Sequence, residues 1–253
     1  MTPGPTTTAT KTGYALIEKL RSYVDLDDDE VRALTRLLMR TRRVPRGRDI
    51  VVQGQPYRAL YVLLDGLALR YKVLPDGRRQ VLNLIVPGDL IGLPACLYEG
   101  AIASVSGLTN TTVSPIEFEE LFDLFRHYPR ISAALFWTSA REAGIYVERL
   151  ATIGRRSAYE RLAHLILELL SRLQAVGLAS PNSFEMPLTQ EMLADTLGLS
   201  LQHVNRMIRN LREEGLASIE EHKVTIHDME SLVRLAGFEG TYLSRHKIPG
   251  LSR

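Results

Sequence analysis

Apolar and polar positions follow three rhythms along this chain. From Tyr14 to Met39 the apolar residues Leu16, Leu20, Val24, Val31, Leu34 and Leu38 keep mostly to helical spacing, and Asp25–Glu30 forms an acidic helix start. From Val44 the rhythm shortens. The stretches VPRGRDIVVQGQ, ALYVLLDGLALRYKV and RRQVLNLIVPGDLIG are separated by Gly, Pro and Asp, with glycines at positions 47, 54, 66, 77 and 88. Short apolar runs with turns at this interval predict a small antiparallel barrel or roll that continues to about Ile116. Pro75-Asp76-Gly77, between two such runs, predicts a hairpin turn.

Helical spacing returns at Phe118–Phe125, and Pro129–Gly154 then reads as one long helix. Its apolar positions Ile131, Leu135, Thr138, Ile145, Leu150 and Ile153 stay mostly on one stripe. We read this stripe as a seam between two copies of the chain, with an ordinary core helix as the plainer alternative. Gly154-Arg155-Arg156-Ser157 reads as a hinge. Ala158–Val176 is a Leu-rich amphipathic helix, and Gly177–Phe184 reads as a loop.

Residues Leu188–Leu216, LTQEMLADTLGLSLQHVNRMIRNLREEGL, contain two helical patterns that meet at Gly198-Leu199-Ser200. Thr189 can cap the first helix, and Leu188 can staple onto Leu193. Ser200 can cap the second, and Leu199 can staple onto Val204. A short Gly-containing connection between two capped helices is the pattern of a helix-turn-helix. Two short strands around Glu220-Glu221-His222 would form a wing behind it. Asp228 can cap a last helix ending near Gly237, and Thr241–Arg253 reads as a tail.

On a helix from Leu201 to Arg212, Val204, Met207, Ile208 and Leu211 should face inward. Gln202, Asn205, Arg206 and Arg209 then fall on the opposite side. Arginine can fork onto guanine O6 and N7, and glutamine or asparagine onto adenine, each pair discriminating by about 1–3 kcal/mol. No acid lies between Ser200 and Glu213, so the face is locally positive. A merely solvated helix surface is the bland alternative. From Pro181 to Arg253 there are 8 Lys and Arg against 10 Asp and Glu, and the whole chain has a net charge of +2. Any attraction for nucleic acid must therefore come from this face rather than from bulk charge.

Composition narrows the remaining classes. A content of 45% hydrophobic and 24% charged residues is that of an ordinary soluble protein, and no run of 18 apolar residues predicts a membrane span. MTPGPTTTATKTG has no apolar core, so it reads as a disordered tail rather than a secretory signal. The expected location is the cytoplasm. Cys96 is the single cysteine, which excludes an intramolecular disulfide and an iron–sulfur cluster held by several cysteines of one chain. No catalytic triad, metal-ligand spacing or phosphate loop is present in the sequence, so no metal and no enzymatic activity are expected.

The order of these parts resembles the Crp/Fnr family of bacterial transcription regulators over roughly residues 14 to 237. In the roll the resemblance rests on Gly54, on Leu60-Tyr61-Val62-Leu63-Leu64-Asp65-Gly66, on Asp76-Gly77-Arg78 and on Pro87-Gly88-Asp89-Leu90-Ile91-Gly92. In the C-terminal part it rests on Ala194, Gly198, Val204 and Met207. It implies an α+β fold: an N-terminal double-stranded β-helix, or jelly-roll-like β-roll, then a long dimerisation helix and a C-terminal winged helix-turn-helix. The corresponding divisions are a disordered tail at 1–12, a cyclic-nucleotide-binding-like sensor domain at 13–125, the dimerisation helix at 126–155, the DNA-binding domain at 156–239 and a tail at 240–253.

The resemblance also implies function. It makes the chain a homodimer that reads a pseudo-palindromic operator in double-stranded DNA and recruits RNA polymerase. The expected DNA-binding residues are Thr189, Gln190, Ser200, Leu201, Gln202, His203, Asn205, Arg206 and Arg209. Arg206 matches the arginine that reads guanine, whereas Gln202 stands where the family usually has glutamate. Leu201 stands where some members carry arginine, and Asn205 replaces a small residue. The alternative is a signalling module that binds a cyclic-nucleotide-like ligand without sequence-specific DNA readout.

The sensing segment departs from the cyclic-nucleotide binders of the family. Leu93 and Pro94 follow Gly92 where Glu-Leu would stand, and the family's arginine-serine pair falls near Ala101 and Ile102. No Lys or Arg occurs from Gln80 to Phe125, so a buried phosphate would lack a fixed positive partner. Control by cAMP is not expected. Leu90, Ile91, Gly92, Leu93, Cys96, Ala101, Ile102 and Ser104 remain as the candidate lining for an unidentified, largely apolar effector. The sequence names neither the effector nor the operator, and it leaves activation versus repression open.

Overall fold

The computed structural model describes residues 14–57, 59–92, 98–244 and 246–247. The predicted N-terminal tail, Leu93 and Cys96 lie outside them. The chain divides into two compact units. Of the described residues, one comprises those of 14–68, 85–139 and 246–247, and the other comprises 69–84 and 140–244.

In the first unit the expected helical stretch Tyr14–Met39 holds two helices, α1 (Tyr14–Arg21) and α2 (Asp28–Leu37), the second starting within the acidic run Asp25–Glu30. Asp27 starts the second with a capping box. Its carboxylate accepts from the backbone N–H groups of Asp29 and Glu30, while Glu30 accepts from the Asp27 N–H. These local bonds favour a new helix start over continuation. Arg130 joins this corner by ion pairs to both Asp27 and Glu30.

Strands β1 (Arg42–Val44), β2 (Asp49–Val51), β3 (Ala59–Asp65), β4 (Ala68–Val73), β5 (Arg79–Ile85), β6 (Leu90–Ile91), β7 (Ser104–Gly107) and β8 (Thr111–Glu117) follow. They form two four-stranded sheets with the orders β1-β8-β3-β6 and β2-β7-β4-β5. The crossing order shows a roll rather than a meander. β3 pairs antiparallel with β8, Leu60 opposite Ile116 and Val62 opposite Ser114. Side-chain alternation on β3 feeds two cores. Leu60, Val62 and Leu64 pack with α1, α2 and the segments that follow β8. Leu63 packs with Val44, Ile50, Ile85, Ile91, Ala101, Val105 and Val113. Gly66 must be glycine: its φ is +81°, and an added Cβ would lie 2.4 Å from the Asn110 carbonyl oxygen.

α3 (Phe118–His127) and α4 (Pro129–Arg155) follow the roll. α4 contains the predicted long helix, but most of the predicted stripe is not its free face. Ile131, Leu135, Thr138 and Ile145 are buried within the single chain, Ile153 is half-buried, and of those positions only Leu150 is exposed. The exposed small and apolar line is instead Phe136, Ala140, Ala143, Val147, Leu150 and Gly154. Its alternating steps of four and three residues follow one edge of an α-helix.

The hinge falls in the second half of the expected Gly154–Ser157 stretch. α4 runs through Gly154 to Arg155, and α5 (Ala158–Gln174) begins after the Ser157 cap. The expected loop at 177–184 ends in a short strand, β9 (Ser183–Glu185). α6 (Gln190–Leu197), α7 (Leu201–Glu213), β10 (Ala217–Glu220), β11 (Lys223–Ile226) and α8 (Met229–Ala236) complete the second unit. The wing is therefore three-stranded, in the order β10-β11-β9. Thr241–Leu243 forms a one-turn 3-10 helix with Leu243 buried, where a plain tail was expected.

Candidate nucleic-acid interface

The helix-turn-helix forms by the local chemistry expected of it. The Thr189 hydroxyl accepts from the Met192 N–H at 3.2 Å, which fixes the start of α6. Gly198 ends it in the left-handed conformation with φ +66°, and its N–H donates to the Ala194 carbonyl. The Ser200 hydroxyl accepts from the His203 N–H at 3.3 Å and starts α7. Arg161 on α5 braces the turn from behind by donating to the Leu197 carbonyl at 3.1 Å.

Burial then separates the two faces of α7. Val204 and Leu211 are fully enclosed, Met207 is buried and Ile208 is half-buried. Leu201, Gln202, Asn205, Arg206, Arg209 and Arg212 are exposed, and His203 is half-buried. Arg206, Arg209 and Arg212 make no ion pair among the described residues, so their guanidinium donors are available. The N-terminal end of α7, with its unpaired N–H groups, lies next to this face and adds to the positive potential. Arg212 belongs to the face as well.

The remaining predicted DNA contacts are divided. Gln190 is exposed, while Thr189 is half-buried and uses its hydroxyl as a cap. On the wing, Lys223 stands opposite Glu220 and Glu185 in the strand register, with Glu221 nearby, so this patch is not positive. The wing tip, Glu221-His222, has positive φ at both residues, +47° and +65°. That is the backbone of a tight two-residue hairpin, here made without glycine.

Of the described residues of the predicted effector lining, Ile91, Gly92 and Ala101 are brought together around Tyr57 and the others are not. Leu90 packs into the core under α1 and α2, whereas its strand neighbour Ile91 packs with Ala101 inside the roll. Successive strand residues point to opposite faces, so Leu90 and Ile91 cannot line one pocket. Ile102 is exposed, and the Ser104 hydroxyl already accepts from the Gln53 N–H at 2.9 Å. Gly92 is covered by the Tyr57 ring, 2.5 Å from where a Cβ would stand, and its carbonyl accepts from the Tyr57 hydroxyl at 3.3 Å.

The second unit also holds contacts that no local pattern announced. Arg79 Nε meets the Asp195 carboxylate at 2.7 Å, and Gln80 Nε2 donates to the Asp195 carbonyl at 2.7 Å. The β4–β5 hairpin thus satisfies the C-terminal end of α6. Arg172 on α5 donates to Asn83 Oδ1 at 2.7 Å and to the Leu84 carbonyl at 2.5 Å.

Comparison with known proteins agrees with this architecture. The family model of the Crp-like helix-turn-helix domain matches residues 160–235, and that of the cyclic nucleotide-binding domain matches residues 41–128. The chain is 26% identical over 212 residues to the anaerobic regulatory protein of Pasteurella multocida, covering 84% of this chain and 77% of that protein. It is also 26% identical over 214 residues to the transcriptional activator protein Anr of Pseudomonas aeruginosa, covering 85% and 87%. Among solved structures, FixK2 from Bradyrhizobium japonicum superposes with a TM-score of 0.71 at 23% identity, over 79% of this chain and 98% of that one. With both family models in their expected order, and with an exposed hydrogen-bonding face on α7, the chain belongs to the Crp/Fnr family of DNA-binding transcription regulators.

Proposed function

We propose that the protein is a cytoplasmic homodimer that reads a pseudo-palindromic DNA site with its two α7 helices and regulates transcription through RNA polymerase. The observation that carries this reading is the exposed Gln202, Asn205, Arg206 and Arg209 face, whose arginines have no acidic partner among the described residues. Dimerisation is supported by the apolar line Phe136, Ala143, Val147 and Leu150. These side chains are exposed in the single chain, and their spacing suits two α4 helices packed along each other. Two such subunits would present their α7 helices to successive major grooves, about 34 Å apart.

Cyclic AMP does not fit as the signal. A buried cyclic phosphate needs a fixed cation, and none is encoded between Gln80 and Phe125. The effector, if small, is uncharged and largely apolar. It would act by shifting the populations of dimer arrangements that differ in α7 separation. Sensor, dimerisation and DNA-binding roles are assigned to residues 13–125, 126–155 and 156–239.

Selection of binding sites from random duplex DNA tests the reading. The unaltered chain should enrich a two-half-site sequence. Arg206→Ala should lose preference at one base pair per half-site, at a cost of about 1–3 kcal/mol, while salt-dependent binding persists. Identical preferences for both proteins would refute it.

A further inference from the structure

Beyond the last helix of the winged domain, the chain turns back on itself. Gly237, with φ +54°, ends α8. Gly240, with φ +64°, opens the turn at Thr241–Leu243, and an added Cβ there would lie 3.1 Å from the Phe238 ring. The returning segment touches the α4–α5 elbow at three places. On α4, Arg141 donates through Nε and Nη2 to the Leu243 carbonyl at 3.3 and 3.2 Å. At the elbow, Arg156 donates to the carbonyls of Ala236 and Gly237 at 3.2 and 3.5 Å. On α5, the Tyr242 hydroxyl donates to Glu168 at 3.3 Å.

The aromatic rings reinforce this arrangement. His164 on α5 lies edge-on to Phe238, with centroids 5.2 Å apart, and near-parallel to Tyr242 at 6.2 Å. Its Nε2 is 3.2 Å from Glu148 on α4. Glu168 is 1% exposed and lies between the buried guanidinium groups of Arg172, at 3.3 Å, and Arg149, at 3.6 Å. Buried charges of this kind hold geometry because each alternative leaves one of them unpaired.

We propose that residues 237–243 are a strap that fixes the angle between α4 and α5, with Tyr242 as the positioning residue. Since α4 carries the apolar seam and α5 leads into the helix-turn-helix, that angle sets the separation of the two α7 helices in a dimer. The strap therefore determines which half-site spacing the protein accepts, without touching DNA. This inference rests on the dimeric reading above.

The experiment measures binding of the full-length protein to duplexes whose half-sites are moved apart or together by one base pair, beside a single half-site probe. The unaltered protein should prefer one spacing by about tenfold. Tyr242→Ala should flatten that preference to about threefold or less while base preference within a half-site is retained. Tyr242→Phe keeps the ring and should behave like the unaltered chain. Should the alanine variant lose cooperative unfolding, Arg141→Met, which cuts the tether to Leu243, is read in its place and should weaken the spacing preference. A folded variant that discriminates spacings as sharply as the parent overturns the strap. An unaltered protein that binds the single half-site probe as tightly as every paired probe overturns the dimeric reading instead.

Discussion

Arg79 and Asp195 stand 116 positions apart in sequence, yet their guanidinium Nε and carboxylate meet at 2.7 Å. The bond ties the β4–β5 hairpin to the first helix of the helix-turn-helix, and Gln80 beside it satisfies carbonyls at the end of that helix. Both charged side chains are about one-third exposed, so the solvent-screened pair should contribute little to stability. A double-mutant cycle with Arg79→Ala and Asp195→Ala, followed by denaturant unfolding, should give a coupling of about 1 kcal/mol or less. Raising the salt concentration should diminish it further.

Gln202 offers a test of base reading. An amide can pair in a bidentate way with adenine, whereas a carboxylate accepts from the cytosine amino group. Gln202→Glu should therefore move the preferred base at one position of each half-site from adenine to cytosine, with thermal stability unchanged within about 0.5 kcal/mol because the side chain is exposed. Site selection with both proteins reads the change directly, and an unaltered consensus would remove Gln202 from the interface.

The two sides of α4 should respond in opposite ways. Leu150 is 74% exposed and Val147 67% exposed in the single chain, so Leu150→Glu should leave the fold intact and shift sedimentation toward monomer. Ile145 is buried, and Ile145→Ala should cost about 2–5 kcal/mol of unfolding free energy without changing subunit number. Subunit dissociation by Ile145→Ala but not by Leu150→Glu would place the seam on the wrong face.

His164 predicts a pH dependence. Burial is the largest influence on it and lowers its pKa. Arg156 and Arg149 push in the same direction, against Glu168 and Glu148, with Phe238 and Tyr242 packed on the ring. The unfolded chain thus binds this proton more readily, with a pKa of about 6.5. The contribution of neutral His164 is full above that pH and falls as the pH drops toward the lower folded value. Unfolding midpoints should decline below about pH 6.5. His164→Gln should flatten that decline, and an unchanged pH profile would mean that another group carries it.

Much of the fold is local, and so it was legible. The caps at Thr189 and Ser200, the left-handed Gly198, the Pro75-Asp76-Gly77 turn and the split of α7 into Val204/Leu211 and Gln202/Arg206 sides each need only neighbours within about one helical turn. The acidic run Asp25–Glu30 marked a helix start although apolar helical spacing continues across it, and the capping bonds of Asp27 and Glu30 place that start at Asp28.

Helical spacing alone could not choose which apolar edge of α4 faces a partner. Ile131, Leu135 and Ile145 are as apolar as Phe136, Val147 and Leu150, and only the elements packed alongside show which set is already covered. Among the described residues of the effector lining, strand alternation acts in the same way. Leu90 and Ile91 are adjacent in sequence, but the pleat sends them into different cores. The sequence by itself determined the parts, their order and the chemistry of the α7 face, because caps, turns and periodicity act over a few residues. Tertiary structure decided the seam, the hairpin's hold on α6 and the return of Tyr242 onto α5. Those depend on contacts across as many as 116 positions, and no local preference encodes them.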